Sequence, residues 1–171
     1  MLARELRRSG RDVARIGDAF YGATPPVARI RKHFPGNWAW SKKEAEACSR
    51  DYVKLGWSGY LPQSCRGRTL IVPINYQWPF WGWPNRLIAR MEAHGGRVLM
   101  IGNVGVAAAP GGLSLPEELG QVPESFNGYL WVEDIWTLGP ALRPSQDRRA
   151  HALAVAAQEG LDRRRAHYAA D

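Results

Sequence analysis

The sequence predicts an α/β protein built on parallel strands, and three observations carry that reading. Residues 69–101 form a strand–helix–strand pattern. An apolar run, Thr69-Leu-Ile-Val-Pro-Ile74, and a second one, Arg97-Val-Leu-Met-Ile101, flank an amphipathic segment at 85–94. Strand and helix patterns alternate along the rest of the chain, the order expected of right-handed crossovers in a parallel sheet. Polar residues fall just after the strands, the end at which α/β folds gather their binding groups.

Each element has a local reason. Leu2 and Leu6 sit one helical turn apart, and Gly10 ends that short helix. Residues 13–18 read as a first strand, followed by Asp18 and Tyr21. Thr24 is placed as the cap of a helix with Pro25 in its first turn, and Val27, Ile30 and Phe34 form its apolar stripe. Residues 37–40 read as a brief strand. Ser41-Lys-Lys-Glu44 has the spacing of a capping box, and Ala45, Cys48, Tyr52 and Leu55 follow at helical spacing. After a glycine-rich loop come the strand–helix–strand unit, a long loop at 102–115, one helical turn expected from Ser114 to Glu117, and a last strand at 129–132. Residues 1–143 are read as one domain. Residues 144–171, rich in alanine and arginine, are read as a basic helical or disordered tail.

A chain of 171 residues, 45% hydrophobic and 23% charged, is long enough to bury a core. The net charge of +7 favours anionic partners, although much of the excess sits in arginines at the two ends, where solvated helix faces account for it. No apolar run spans a bilayer and none forms a signal core. Two cysteines are too few for a disulfide framework or a thiolate metal site, so a reducing cytoplasm is the expected compartment.

The chemistry is less legible. Asn75, Gln77, Asn103 and Glu133 follow strands and could bind a metal, a hydroxylated ligand or a water beside a phosphate; Asn75, Gln77 and Glu133 could equally form turns, and Asn103 reads first as a turn residue. The loop 75–84 holds Trp78, Phe80, Trp81 and Trp83. These side chains suit the wall of a pocket, a lipid headgroup layer or the plugged end of a core. No basic residue interrupts 78–84, so nucleic acid is not an expected partner. His33 and His94 end helices, His151 and His167 lie near the C-terminus, and none has zinc-ligand spacing. No serine sits in a nucleophile elbow.

In its motif order the chain resembles the C-terminal half of a glycerophosphodiester phosphodiesterase, an eight-stranded parallel β/α barrel. Residues 13–21 with Asp18-Ala-Phe20, residues 27–40, residues 86–103 ending at Asn103, and residues 128–134 are similar to successive strands and helices of that half. The resemblance covers residues 1 to about 143 and implies a partial (half) TIM-type β/α barrel with parallel strands. It implies phosphoric diester hydrolysis by metal-assisted acid–base chemistry, with magnesium or calcium as cofactor. The chain departs from the pattern in lacking the His-Arg-Gly, catalytic histidine and metal carboxylates of the family's N-terminal half, so no catalytic or metal residue is assigned. Phe20, Asn75, Gln77, Trp78, Asn103 and Glu133 are the expected substrate contacts, for a glycerophosphodiester. Half a barrel leaves open edges and an uncovered inner face. Covering ~500 Å² of apolar surface would contribute roughly 12 kcal/mol, so a second copy or a complementing half-barrel chain is an expected partner. The alternative is a non-enzymatic module that uses the tryptophan loop and basic ends on anionic lipid, as a peripheral membrane contact, or on a protein.

Overall fold

The computed structural model describes residues 2–105 and 111–142. In chain order the elements are α1 (Leu2–Arg8), α2 (Val13–Ile16), β1 (Ala19–Tyr21), α3 (Thr24–His33), β2 (Trp38–Trp40), α4 (Lys42–Leu55), β3 (Thr69–Pro73), α5 (Asn85–Glu92), β4 (Arg97–Ile101), β5 (Tyr129–Leu130) and α6 (Ile135–Leu142). Short 3-10 turns lie at Gly56–Ser58, Gln63–Cys65 and Pro116–Gln121. Every strand pairing among the described residues is parallel, including a single bridge between Leu113 and Val132. The α/β class with parallel strands therefore holds.

The strands do not lie in one sheet. β1 pairs with β2, and β3, β4 and β5 form a separate sheet, with no closed barrel among the described residues. The physical reason is at the free edge of β3. The Ser49 hydroxyl of α4 accepts the Ile71 N–H at 2.9 Å and donates to the Ile71 carbonyl at 2.8 Å. One helix side chain thus satisfies the donor and acceptor that a neighbouring strand would use.

Helix α4 sits astride that edge and packs against both faces of the sheet. In parallel register Leu70 meets Val98, Ile71 meets Leu99 and Val72 meets Met100. Leu70, Val72 and Val98 point toward α5, packing with Leu87, Ile88, Met91 and with Cys48 and Tyr52 of α4. Ile71 and Leu99 point the other way, onto Ala45 and Trp40. Burial on both faces fits the continuous apolar runs of β3 and β4. A third cluster, Ile74, Met100, Leu113 and Leu138, is covered by α6.

The inner face, expected bare, is partly covered by the β1–β2 sheet. Aromatic side chains reach across to β5 and its extension: Trp38 on Tyr129 at 4.5 Å between centroids, Tyr21 on Trp131 at 4.9 Å and Trp40 on Trp131 at 5.4 Å. Arg97 lies over both Trp38 and Tyr129. The two sheets are joined by these rings and by the Trp38 indole N–H bonded to the Thr69 hydroxyl at 2.9 Å, not by backbone pairing.

Several local expectations are corrected. Residues 13–16 form a helical turn, not a strand, because Asp12 accepts the Arg15 N–H at 3.0 Å and Gly17, at φ +77°, closes the turn in the left-handed region. The first strand therefore starts after Asp18, which pairs with Arg11 at 2.6 Å. Thr24 lies inside α3 and meets the Ser41 hydroxyl at 3.1 Å; Ala23 holds the cap position. The turn expected at 114–117 is displaced to Pro116–Gln121, with the Glu118 carboxylate accepting the Ser114 and Leu115 N–H groups. Helix α6 was not expected; Asp134 accepts the Trp136 and Thr137 N–H groups at its start. The tail at 144–171 lies outside the described residues.

Two links hold α4 in place. Ser41 caps it, accepting the Glu44 N–H at 3.4 Å. The Glu44 carboxylate does not complete the capping box; it takes two bonds from Arg31 (2.9 and 3.0 Å), one from Arg68 (2.8 Å) and one from the Ser41 hydroxyl (3.0 Å). Burial pushes this carboxyl up, but the bonds from Arg31 and Ser41 and the charges of Arg31 and Arg68 outweigh it and hold it below its ordinary 4.5. The second link is a buried disulfide between Cys48 and Cys65. Bonds of this kind persist in oxidising compartments, so the cysteine count does not carry the cytoplasmic expectation. Among the described residues no helix is long and apolar enough to cross a membrane.

Two tests follow from these links. Glu44→Gln keeps the volume but strands two guanidinium groups. With the pair part-exposed, the expected loss is about 2 kcal/mol in urea unfolding at neutral pH. A carboxyl lowered in the folded state stabilises fully above its unfolded value and loses that contribution as pH falls through the folded one, so stability of the parent should drop as pH falls below 4.5 and the variant's should drop less. Removing the disulfide by Cys48→Ala with Cys65→Ala, which opens a loop of sequence separation 17, should cost roughly 3 kcal/mol in the same assay.

Candidate functional site

A cleft of about 880 Å³ opens at the C-terminal ends of β1 to β4. Its walls follow from two periodicities. In strands, alternate residues share a face, so Tyr21, Trp40 and Trp131 line one side together with Ile71 and Ile101. In α4, the apolar positions Ala45, Cys48 and Tyr52 point into the core, which turns Lys42, Glu46, Arg50 and Lys54, spaced by four, toward the cleft. The result is an aromatic wall facing a mostly cationic one.

Charges in the cleft are only partly matched. Lys42 lies 3.8 Å from Glu46, and Arg50 lies 3.6 Å from Asp51. Lys54 makes no salt bridge among the described residues. Glu133 accepts the Trp131 indole N–H at 3.0 Å, which fixes that ring in the wall. The Asn103 amide also lines the cleft and makes no side-chain hydrogen bond among the described residues, leaving its donor and acceptor for a ligand.

Comparison of the chain with protein-family models, with curated proteins and with solved structures finds no match.

Of the six expected substrate contacts, the cleft brings together Asn103 and Glu133. The other four stand elsewhere. Phe20 faces α3, stacked on Phe34 at 5.8 Å; its neighbour Tyr21 takes the cleft position because adjacent strand residues face opposite ways. Asn75 spends both ends of its amide on Val104, at 2.9 and 3.0 Å, and so pins the loop after β4. Gln77 donates to the Ile74 and Gln121 carbonyls and accepts the Trp83 indole N–H at 2.8 Å, clamping three segments together. Trp78 points outward, edge-on to Tyr76, and Tyr76 rather than Trp78 lines the cleft.

The divalent metal that the family resemblance implies has no donor set here: no three His, Cys, Asp or Glu side chains converge among the described residues. Within the cleft, Glu46 comes from α4 with Lys42 beside it and Glu133 comes from beyond β5 with an indole bonded to it. The two carboxylates belong to different walls.

Sequence reasoning missed Tyr21, Trp40, Trp131 and the α4 cations. A signal was available: Trp38-Ala39-Trp40 and Tyr129-Leu130-Trp131 both carry aromatics at period two, which places each pair on one sheet face.

The contrast between Gln77 and Trp78 can be measured. Gln77→Leu leaves an indole N–H and two carbonyls without their partner and should cost about 2 kcal/mol in urea unfolding, whereas Trp78→Ala should stay within ~0.5 kcal/mol.

Proposed function

We propose that the chain is a binding protein for a small phosphodiester of the glycerophosphocholine type, held in the cleft at the strand C-termini and not hydrolysed by this chain alone. The observation that carries the reading is the pairing of an aromatic wall (Tyr21, Trp40, Trp131) with the cations Arg50 and Lys54 across one cleft. A quaternary ammonium is attracted to aromatic faces. A phosphodiester anion is attracted to ammonium and guanidinium groups. Asn103 and Glu133 offer hydrogen bonds to glycerol hydroxyls. A ligand with those three parts matches the three chemistries of the site.

The motif resemblance to glycerophosphodiester phosphodiesterases supports the same ligand class from an independent direction. It also supports a finer architecture, in which the three-stranded sheet β3–β4–β5 is an arc of a TIM-type barrel, with β1 and β2 standing apart from it because α4 holds the β3 edge. Parallel pairing within that sheet and a site at the strand C-termini agree with that architecture. Catalysis by this chain has no such support: the family's His-Arg-Gly does not occur in the sequence, and no three metal-ligating side chains converge among the described residues.

Isothermal titration with glycerophosphocholine tests the reading. Saturable binding is expected, weakened about fivefold by Tyr21→Leu and similarly by Lys54→Gln, with each variant's fold checked by circular dichroism. Absence of binding, or release of glycerol phosphate by the purified chain with magnesium or calcium, would overturn it.

A further inference from the structure

Tryptophan is a residue that folding normally hides, and here three indoles beside the cleft are turned outward. Trp57 is 68% exposed, Trp78 79% and Trp81 52%. The Trp81 indole N–H bonds the Val53 carbonyl at 3.3 Å, and its own carbonyl accepts the buried Tyr52 hydroxyl at 2.8 Å, so the ring is fixed against the C-terminal half of α4. Trp57 lies in the 3-10 turn that continues directly from α4. Trp78 is set edge-on against Tyr76, a wall residue of the cleft. Arg90 bonds both the Tyr52 hydroxyl (2.7 Å) and the Gly56 carbonyl (3.1 Å), tying α5 to the end of α4 beside Trp57.

Two cations flank these rings in the chain. Lys54 precedes Leu55 and Trp57, and Arg86 opens α5 four residues after Gly82 with its Cβ against that turn. Neither makes a salt bridge among the described residues. Exposed indoles favour the headgroup layer, where the ring is half-solvated and its N–H stays bonded. Unpaired lysine and arginine beside them are attracted to the negative potential of anionic lipid. An anionic surface suits exposed indoles flanked in the chain by unpaired cations, Lys54 three residues before Trp57 and Arg86 five residues after Trp81.

We propose that this indole rim docks the protein on the surface of an anionic bilayer, with Trp57, Trp78 and Trp81 in the headgroup layer and Lys54 and Arg86 over the lipid phosphates. Docking would turn the mouth of the cleft toward the membrane, because Val53, Lys54 and Tyr76 belong to both.

The test is sedimentation of the full chain with large vesicles, either phosphatidylglycerol mixed with phosphatidylethanolamine or phosphatidylethanolamine with a neutral diluent. These lipids carry no choline, so the quaternary ammonium that the aromatic wall would take is absent, and Tyr21→Leu reports any headgroup held in the cleft. Binding is expected to the anionic vesicles only, with a blue shift of tryptophan fluorescence. Lys54→Gln and Arg86→Gln should each weaken it about fivefold, and Trp57→Ser with Trp81→Ser should abolish it with the circular dichroism spectrum retained. If the double tryptophan variant loses its fold, Trp57→Ser and Trp78→Ser, singly, should each reduce binding at least threefold. Tyr21→Leu, which disables the cleft wall, should bind vesicles as the parent does, so failure of docking and failure of the cleft reading are told apart. No binding to anionic vesicles, equal binding to neutral ones, or binding indifferent to the tryptophan changes would overturn the proposal.

Discussion

The structure depends on α4 occupying the open edge of β3. A strand edge is a row of unpaired backbone groups, and in a parallel fold the usual solution is another strand. Here the Ser49 hydroxyl satisfies both the N–H and the carbonyl of Ile71. Glu44 and the Cys48–Cys65 bridge hold the helix against movement along that edge, one by collecting Arg31 from α3 and Arg68 from the start of β3, the other by a covalent tie to the turn before the strand. Because a helix takes the place of a strand, β2 cannot join β3, and the sheet divides into two.

That division creates the site. The two sheets still need each other to bury their facing surfaces, and they meet through large aromatic rings instead of through a ladder of hydrogen bonds. Rings at 4.5–5.4 Å fill part of the space and leave the remainder as a cleft. The same helix that caused the split also finishes the cleft. Its apolar face is committed to the core, so its polar stripe, Lys42, Glu46, Arg50 and Lys54, has one direction left. Core packing and site composition are thus two consequences of one helix orientation.

Legibility in the sequence followed the range of the interactions. β3 and β4 were readable to within a residue, because fully buried parallel strands are apolar at every position and carry that signal locally. The start of α4 was readable from Ser41, since capping is decided within four residues. Residues 13–16 were misread because an apolar tetrapeptide fits either a strand or a turn, and Asp12 with Gly17 decided for the turn. At the site, Asn75 and Gln77 have the chemistry of ligand-binding amides, yet their partners lie 29 and 44 residues away. Nothing local says that those donors and acceptors are already spent.

The sequence by itself determined the α/β class, the parallel strands, the positions of the main helices and the polar–aromatic character of the strand C-termini. Each of these is encoded in side-chain spacing over a few residues. Tertiary structure decided which residues share the cleft, that the cysteines are joined, that Phe20 turns inward while Tyr21 turns to the site, and that Trp78 and Trp81 face out while Phe80 and Trp83 pack into the core. These depend on where α4 comes to rest against β3, a contact between segments some 22 residues apart that no periodicity records.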